Sequence, residues 1–189
     1  MKIISIHQPL FLPHWPYLEK MYYSDLFVFL TTCQYEKNSF LNRNQSWGEW
    51  ITKPVNSGNI PIHDKTYTDG QNLLDVNLSV IEAFRKMFNI RTKVAFDLPS
   101  SLTKTERILE ICKQNDADAY LASHDAPEKY LDIELLSKNK IQFIPFKSSY
   151  TKPTLEMLQE NGIEGCMKIL ASGKKRFDTQ YRSKNSVSE

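Results

Sequence analysis

The chain has few of the features that cross-link a protein or anchor it in a membrane. Its three cysteines, Cys33, Cys112 and Cys166, are far apart and form no CxxC pair, which argues against a disulfide framework or a structural zinc site. The longest unbroken apolar runs, such as residues 26–30, fall far short of the roughly 20 residues that a membrane helix needs. The N-terminal residues also lack the small-residue cleavage site of a signal peptide, so we expect a reduced, cytoplasmic protein.

A strong charge of one sign is also missing, and glycine is scarce. The formal net charge is only +2, which does not indicate a surface for nucleic acid. The six glycines form neither a GxGxxG nor a Walker pattern, so the glycine-rich phosphate loops are excluded. No Asp, Glu or His grouping has metal-ligand spacing and no GxSxG elbow occurs, so we predict no protein-bound metal and no serine nucleophile of that type.

What the chain does contain is a regular alternation of strand and helix patterns. Short apolar strands are predicted at 2–7, 25–31, 49–55, 93–98, 118–123 and 141–146. Helical periodicity falls at 15–24, 73–88, 103–112, 127–137 and 153–170, the last broken near Gly162. This rhythm predicts an α/β fold, a three-layer Rossmann-like domain with a mainly parallel sheet and right-handed crossovers. We expect a single α/β domain over residues 1–171 and a polar, flexible C-terminal tail over 172–189.

The first candidate site follows the first predicted strand, which ends at His7 and breaks at once into a proline-rich loop. Ligands of open parallel sheets bind outside the carboxyl ends of the strands, so His7 is placed to act as a general base or to hold a phosphate oxygen. A hydrogen bond to a neighbouring loop carbonyl is the structural alternative. His14 opens the next predicted helix and Lys20 lies further along it. Both are candidates for binding an anion at the N-terminus of that helix, and each would otherwise be an ordinary solvated side chain.

The second candidate site follows the second predicted strand. Gln34, Asn42, Arg43 and Asn44 combine a guanidinium fork with amide donors and acceptors, a set suited to phosphate or carboxylate and to sugar hydroxyls. Asparagine-rich turns also arise because asparagine tolerates the left-handed conformation, so a structural reading stays open here.

The third candidate site joins a predicted strand end to a helix start. Ser100, Ser101 and Arg107 offer hydroxyls and a cation that would suit a phosphate. The residues between them match a capping box, with Thr103 as the N-cap and Glu106 three residues later. Capping therefore explains this segment as well as a ligand does.

Several uncommon combinations carry a resemblance to a known family. They are Ile6-His7-Gln8-Pro9 with Pro13, Tyr17 and Lys20, then Asp25–Leu30 with Gln34-Tyr35, Asn42-Arg43-Asn44 and Trp50-Ile51-Thr52, and later Thr105–Lys113, Ala117–Ser123 and Tyr130-Leu131-Asp132. In this order they resemble the WbqC-like protein family, which is found in O-antigen and related polysaccharide gene clusters. Members commonly carry two acidic residues after the second strand, where this chain has Thr31-Thr32.

The resemblance implies an N-acyl or aminoacyl transferase, for example a glycyl transferase, acting on a nucleotide-linked amino sugar in surface polysaccharide biosynthesis. His7 would be the catalytic base. The residues expected to bind substrate are Gln8, His14, Tyr17, Lys20, Gln34, Asn42, Arg43, Asn44, Ser100, Ser101 and Arg107. Among them, Arg43 and Lys20 would hold phosphates, and we expect Arg43 to share one cavity with His7.

The expected partners are a sugar nucleotide or other phosphate-bearing small molecule and an activated acyl donor or its carrier, without nucleic acid or a membrane span. Two alternatives remain open at this point. One is a nucleotidylyl-type transferase, suggested by a looser likeness to enzymes of the HIGH-motif type, although Pro13 stands before His14 where those enzymes have glycine. The other is a non-catalytic sugar-nucleotide-binding partner protein, which the Thr31-Thr32 pair and a short segment between Val55 and Leu73 favour.

Overall fold

A computed structural model describes residues 1–58 and 60–183 of the chain. The strands are β1 (Ile3–His7), β2 (Leu26–Phe29), β3 (Arg43–Ser46), β4 (Glu49–Thr52), β5 (Lys93–Phe96), β6 (Ala119–Ser123) and β7 (Gln142–Phe146). The helices are α1 (Trp15–Tyr23), α2 (Leu73–Met87), α3 (Lys104–Gln114), α4 (Ala126–Lys129), α5 (Ile133–Lys138) and α6 (Thr154–Tyr181). Within these ranges, no helix combines the length and the apolar composition that crossing a bilayer requires.

Five of the strands form one parallel sheet in the order β5-β2-β1-β6-β7. Apolar side chains cover both faces of this sheet. On one face they pack against α3 and α5, and on the other against α1, α2 and α6. Burial on both sides explains why β2 reads as a continuous apolar run, with all four residues buried. The predicted Rossmann-like α/β fold with a mainly parallel sheet is confirmed.

The strand order places a topological switch point between β1 and β6. From β1 the chain moves outward through β2 to β5, and it then returns to the other side of β1 to form β6 and β7. The connections that follow β1 and β6 therefore diverge above the carboxyl edge of the sheet. In open α/β sheets a crevice for ligands forms where the strand order reverses in this way.

The segment 43–46 is a strand, although the sequence reading treated it as part of a loop. It pairs antiparallel with β4 in a separate hairpin, so the strand expected at 49–55 does not join the main sheet. A two-residue turn at Trp47 and Gly48 closes the hairpin, and both residues have positive φ, 52° and 79°. Turns of this kind match the right-handed twist of paired strands. With tryptophan at the first position instead of asparagine or aspartate, the turn carries no familiar sequence signal.

Helix α6 continues beyond the boundary expected at residue 171. Its two helical segments meet at Gly162, which has a φ of 63°, close to the predicted break. The second segment runs to Tyr181, and the Phe177 ring stacks on Tyr23 with centroids 5.3 Å apart. Residues 172–181, which the sequence analysis assigns to the tail, are thus helical, and Phe177 buries an apolar face against the core. The rest of the expected tail, from residue 184, lies outside the described residues.

Candidate functional site

The first group of candidate residues lies at the switch point of the sheet, where a ligand crevice is expected in folds of this type. His7 is half-buried at the end of β1, and its ring meets the ring of Tyr17 edge-on at 4.8 Å. The Tyr17 hydroxyl donates to the Gln8 carbonyl at 3.1 Å, and the Gln8 amide lies 3.1 Å from the sulfur of Cys33. These contacts tie the loop after β1 to α1 on one side and to the segment after β2 on the other, so three predicted residues meet here.

His7 is held in its neutral form by its surroundings. Burial lowers the pKa of His7 well below 6.5, and the positive charge of Lys20 lowers it further. A hydrogen bond with the backbone of Gln8 opposes this shift, so the loop interaction considered as the structural alternative is also present. A neutral imidazole with one nitrogen engaged keeps the other as an acceptor. The two readings of His7 are therefore compatible.

Lys20 is the cation beside this imidazole. Burial lowers the pKa of Lys20 to about 8, while the negative charge of Asp125 acts in the opposite direction. Among the described residues, the Lys20 ammonium has no ion-pair partner within 4 Å and donates no hydrogen bond. At neutral pH it is thus a charged group with unused donors, at a place where a negative charge would be stabilised.

Sequence reasoning missed the contribution of β6 to this crevice. Asp125 follows β6, and its carboxylate pairs with Lys129 at 2.5 Å. Hydrogen bonds from Lys129, which has the larger effect, and from Ser123 lower the pKa of Asp125 to about 2, so its carboxylate stays anionic. No local pattern marks Asp125, because β6 becomes the neighbour of β1 only through the strand order of the folded sheet.

The second group of candidate residues lines a cavity of about 680 Å³ between the hairpin and the segments on either side of it. Its wall includes the cations Lys37, Arg43 and Lys65, and the structure describes no carboxylate there. Asn42 is also part of the wall. His7 is not among the described residues that line it, so this is not the common cavity expected for His7 and Arg43.

Arg43 is positioned by an aromatic stack. Its guanidinium carbon lies 4.3 Å from the centre of the Trp50 ring, and Nη2 donates to the Asn38 carbonyl. The Trp50 ring neighbours Phe40, with centroids 6.0 Å apart, and Phe40 meets the ring of His14 at 5.4 Å. Burial lowers the pKa of His14, and Glu156 opposes the shift. His14 therefore packs on Phe40, which precedes the hairpin, and in the described part of the chain its ring contact is with Phe40 and not with His7.

Three predicted polar residues have structural partners. Asn42 accepts from the Tyr35 hydroxyl at 2.8 Å and donates to the Lys53 carbonyl at 3.0 Å. The Asn44 amide donates to the carbonyls of Phe11 and Leu12, which attaches β3 to the loop after β1. Gln34 forms an isolated antiparallel bridge with Pro61. Their role as substrate ligands stays a prediction, and the side-chain amides of Asn42 and Asn44 are already partly used.

The third group belongs to a network at the ends of β2 and β5. Arg107 is buried and donates to Asp97 at 2.7 Å, to the Leu98 carbonyl and to Glu110. The Ser100 hydroxyl accepts from the amide of Leu102 at 3.2 Å. Arg107 thus has protein partners for its charge.

Two further residues of that segment complete its description. Ser101 is exposed. Thr103 stands at the N-cap of α3 but makes no side-chain capping bond, so that part of the predicted capping box is wrong. Its extended backbone, with a φ of −131°, begins the helix without help from the hydroxyl. Across the described residues, no group of three or more His, Cys, Asp and Glu side chains is placed to hold a metal ion.

Comparison with known proteins gives a single kind of match. The model of the WbqC-like protein family matches residues 8–70 and 60–157. This span begins one residue after His7 and includes Lys20, Asp125, the residues that line the cavity, and every strand of the sheet except β1. No curated protein and no solved structure matches the chain.

Proposed function

The chain belongs to the WbqC-like protein family, and from that premise we propose that it transfers an acyl or aminoacyl group, such as glycyl, to the amino group of a nucleotide-linked amino sugar. The family associates the chain with polysaccharide gene clusters, which supplies amino sugars as a substrate class. The observation that carries the proposal is the neutral, half-buried His7 beside Lys20 at the switch point of the sheet.

Acyl transfer to an amine needs a group that accepts a proton near neutral pH. The amine nitrogen attacks the carbonyl carbon of the acyl donor, and the new C–N bond leaves a proton on nitrogen that His7 accepts. The imidazolium then returns this proton to the leaving group as the bond between that group and the acyl carbon breaks. A histidine whose pKa is lowered is neutral, and therefore ready to accept, across the physiological range.

Lys20 would serve the same reaction through its charge. The carbonyl oxygen becomes negative as the amine attacks, and a partly desolvated ammonium stabilises such a charge more strongly than water does. The pKa of about 8 keeps Lys20 mostly protonated at pH 7. Asp125 supports that protonation, because its negative charge raises the pKa of Lys20.

The nucleotidylyl-transferase alternative gains no support from the arrangement of the histidines. It requires His7 and His14 to contact one nucleotide. The His14 ring instead packs edge-on against Phe40, and its backbone forms a bridge with Pro153. We therefore favour the acyl-transfer proposal.

The test is a transfer assay with purified protein. UDP- and dTDP-linked amino sugars are incubated with acyl thioesters and aminoacyl donors, and the product is identified by mass spectrometry. The expected product is heavier than the acceptor by one acyl or aminoacyl group, and His7→Gln should form it at least about a hundredfold more slowly. Binding of the amino sugar without turnover for any donor would instead support the non-catalytic partner reading. Full turnover by His7→Gln would remove His7 as the base.

A further inference from the structure

The cavity beside the hairpin has an uncompensated positive charge. Lys37, Arg43 and Lys65 contribute three cations to its wall, and none of the described residues that line it is acidic. The neutral part of the wall is mostly polar and includes Asn56 and Thr52. Positive charges in one cavity repel each other, and a bound anion offsets that repulsion. The composition therefore indicates a site for an anionic ligand.

Lys65 is the most informative of these cations. Its side chain is almost completely buried, with the whole residue 1% exposed. Nζ donates to the Gly58 carbonyl at 2.7 Å and lies 4.6 Å from the centre of the Tyr35 ring. Within the described parts of the chain, no carboxylate lies within 4 Å of it. An ammonium has three donors and only one is used here, so burial leaves a charge that a ligand anion would stabilise.

Arg43 supplies a second unused donor at the same cavity. Its Nε is buried and, among the described residues, has no hydrogen-bond partner. Packing on Trp50 at 4.3 Å fixes the plane of the guanidinium, and the bond to the Asn38 carbonyl fixes one end of the fork. A guanidinium that is held in place with donors to spare is well suited to phosphate oxygens.

We propose that this cavity binds the diphosphate of a nucleotide-linked substrate, with Lys65 and Arg43 as its main ligands and Lys37 at the surface. Three cations suit a diphosphate better than a single carboxylate, and a cavity of about 680 Å³ has the size of sites for nucleotide-sized ligands. The identity of the ligand rests on the proposed function, while the anion site itself rests only on the charges and donors of the cavity. His7 is not among the described residues that line this cavity, so a substrate held here by its diphosphate has to extend to the end of β1 for its amine to react.

The chain offers a matched control for Lys65. Lys53 also lies over a tyrosine ring, with Nζ 4.4 Å from the centre of Tyr67. Unlike Lys65, it pairs with a carboxylate, Asp69, at 3.0 Å, and it is not part of the cavity wall. Replacing either lysine with methionine removes one charge above an aromatic ring. Only the Lys65 change alters the cavity.

The experiment measures binding of UDP and of inorganic pyrophosphate by calorimetry, without any turnover. We expect UDP to bind the unaltered protein more tightly than pyrophosphate. Lys65→Met and Arg43→Gln should each weaken UDP binding about ten- to hundredfold, and Lys53→Met should leave it unchanged. Lys37→Met, at an exposed position, should weaken it less, and this variant carries the test if Lys65→Met does not fold.

Three results would overturn the inference. They are the absence of binding to the unaltered protein, equal weakening by Lys53→Met and Lys65→Met, and pyrophosphate binding as tight as that of UDP, which would indicate a site for free phosphates. The outcomes also separate this inference from the proposed function. UDP binding that depends on Lys65 in a protein without transfer activity would retain the site and reject the acyl transfer. If Lys65→Met transferred the acyl group with an unchanged KM, the acyl-transfer proposal would be retained and the diphosphate site rejected.

Discussion

Two polar clusters lie at the carboxyl edge of the same sheet, and they differ in how completely their groups are hydrogen-bonded. At the ends of β2 and β5, the two oxygens of Asp97 accept from the amide and hydroxyl of Thr31 at 2.7 and 3.1 Å and from those of Thr32 at 3.2 and 2.6 Å. Arg107 adds a charged donor at 2.7 Å. Burial alone would raise the pKa of Asp97, yet these bonds outweigh it and hold the pKa below its usual value.

At the ends of β1 and β6, Asp125 has protein partners, but His7 and Lys20 are not satisfied in this way. Burial lowers the pKa of both His7 and Lys20, which shows that their charged forms lack full compensation. This difference distinguishes buried polar residues with a structural role from those that are available to bind a ligand. A group with all its partners in the protein stabilises the fold, whereas one with free donors or acceptors at a crevice is available to a ligand.

The same comparison gives a physical reason for the Thr31-Thr32 pair, which stands where the family resemblance led us to expect two acidic residues. In this chain both hydroxyls donate to Asp97. Carboxylates at these two positions would face the carboxylate of Asp97, and like charges at that distance repel. The two threonine hydroxyls are therefore suitable hydrogen-bond donors for Asp97, which follows β5. The base proposed for the reaction, His7, is a different residue at the end of β1.

The largest expected effect comes from breaking the satisfied cluster. Asp97→Ala would leave the Arg107 guanidinium buried without its main partner, and we expect the free energy of unfolding to fall by about 3–5 kcal/mol. Urea denaturation followed by circular dichroism measures this change. Asp69→Ala is the matched control, because the Asp69 side chain is 52% exposed against 1% for Asp97 and should change stability little. Equal effects of the two variants would contradict the assignment of a structural role to the cluster.

The next largest effect is expected on the rate of acyl transfer, when His7 at the end of β1 is replaced. His7→Gln keeps a polar side chain of similar size but cannot accept the proton of the amine. We expect kcat for acyl transfer to fall at least about a hundredfold with little change in KM. Steady-state kinetics on the amino-sugar substrate measures both constants. A loss confined to KM would mean that His7 binds substrate and does not act as the base.

Stability gives a second readout for His7. Its pKa is lower in the folded state than the ordinary value near 6.5, so the folded protein binds fewer protons than the unfolded chain below that pH. The unaltered protein should therefore lose stability as the pH falls below about 6.5, and His7→Gln should lose less over the same range. If the free energy of unfolding fell equally with pH in the two proteins, His7 would not be held neutral in the folded state.

The sequence predicted the sheet well because parallel strands buried on both faces are apolar throughout, as β2 is. It was less informative about the hairpin, where the turn at Trp47 has a positive φ that tryptophan rarely adopts. It also gave no sign of the helix at residues 172–181, because the apolar contact of Phe177 depends on a distant partner, Tyr23.

The candidate site was predictable only in part, for a related reason. His7 could be found because a histidine at the end of a strand is a local pattern. Asp125 and Lys65 could not, since each acquires its role from a neighbour that only the fold supplies. Arg107 and Arg43 look alike in sequence, and they are distinguished only by the presence of a carboxylate at Arg107 and the orphaned Nε of Arg43.

A smaller effect is expected at Lys20, where the pH profile tests the role of its charge. Because the pKa of Lys20 is about 8, the positive charge is lost as the pH rises through that value, and kcat should decline above it. Lys20→Arg keeps a charge that does not titrate in this range, so its profile should stay flat where the unaltered protein declines. Lys20→Met should lower kcat about tenfold at neutral pH. A declining limb that persists in Lys20→Arg would assign it to another group.

The smallest effect is expected within the satisfied cluster itself, at its exposed end. Glu110 bonds the same guanidinium as Asp97 does, but its side chain is 29% exposed against 1% for Asp97. Water can replace a partner at that position, and an exposed ion pair contributes little to stability. Glu110→Gln should therefore unfold at nearly the same urea concentration as the unaltered protein, with the same transfer rate. If Glu110→Gln lowered the free energy of unfolding as much as Asp97→Ala does, solvent exposure would not determine how much a carboxylate bonded to Arg107 contributes to stability. The contrast between the two clusters would then lose its physical basis.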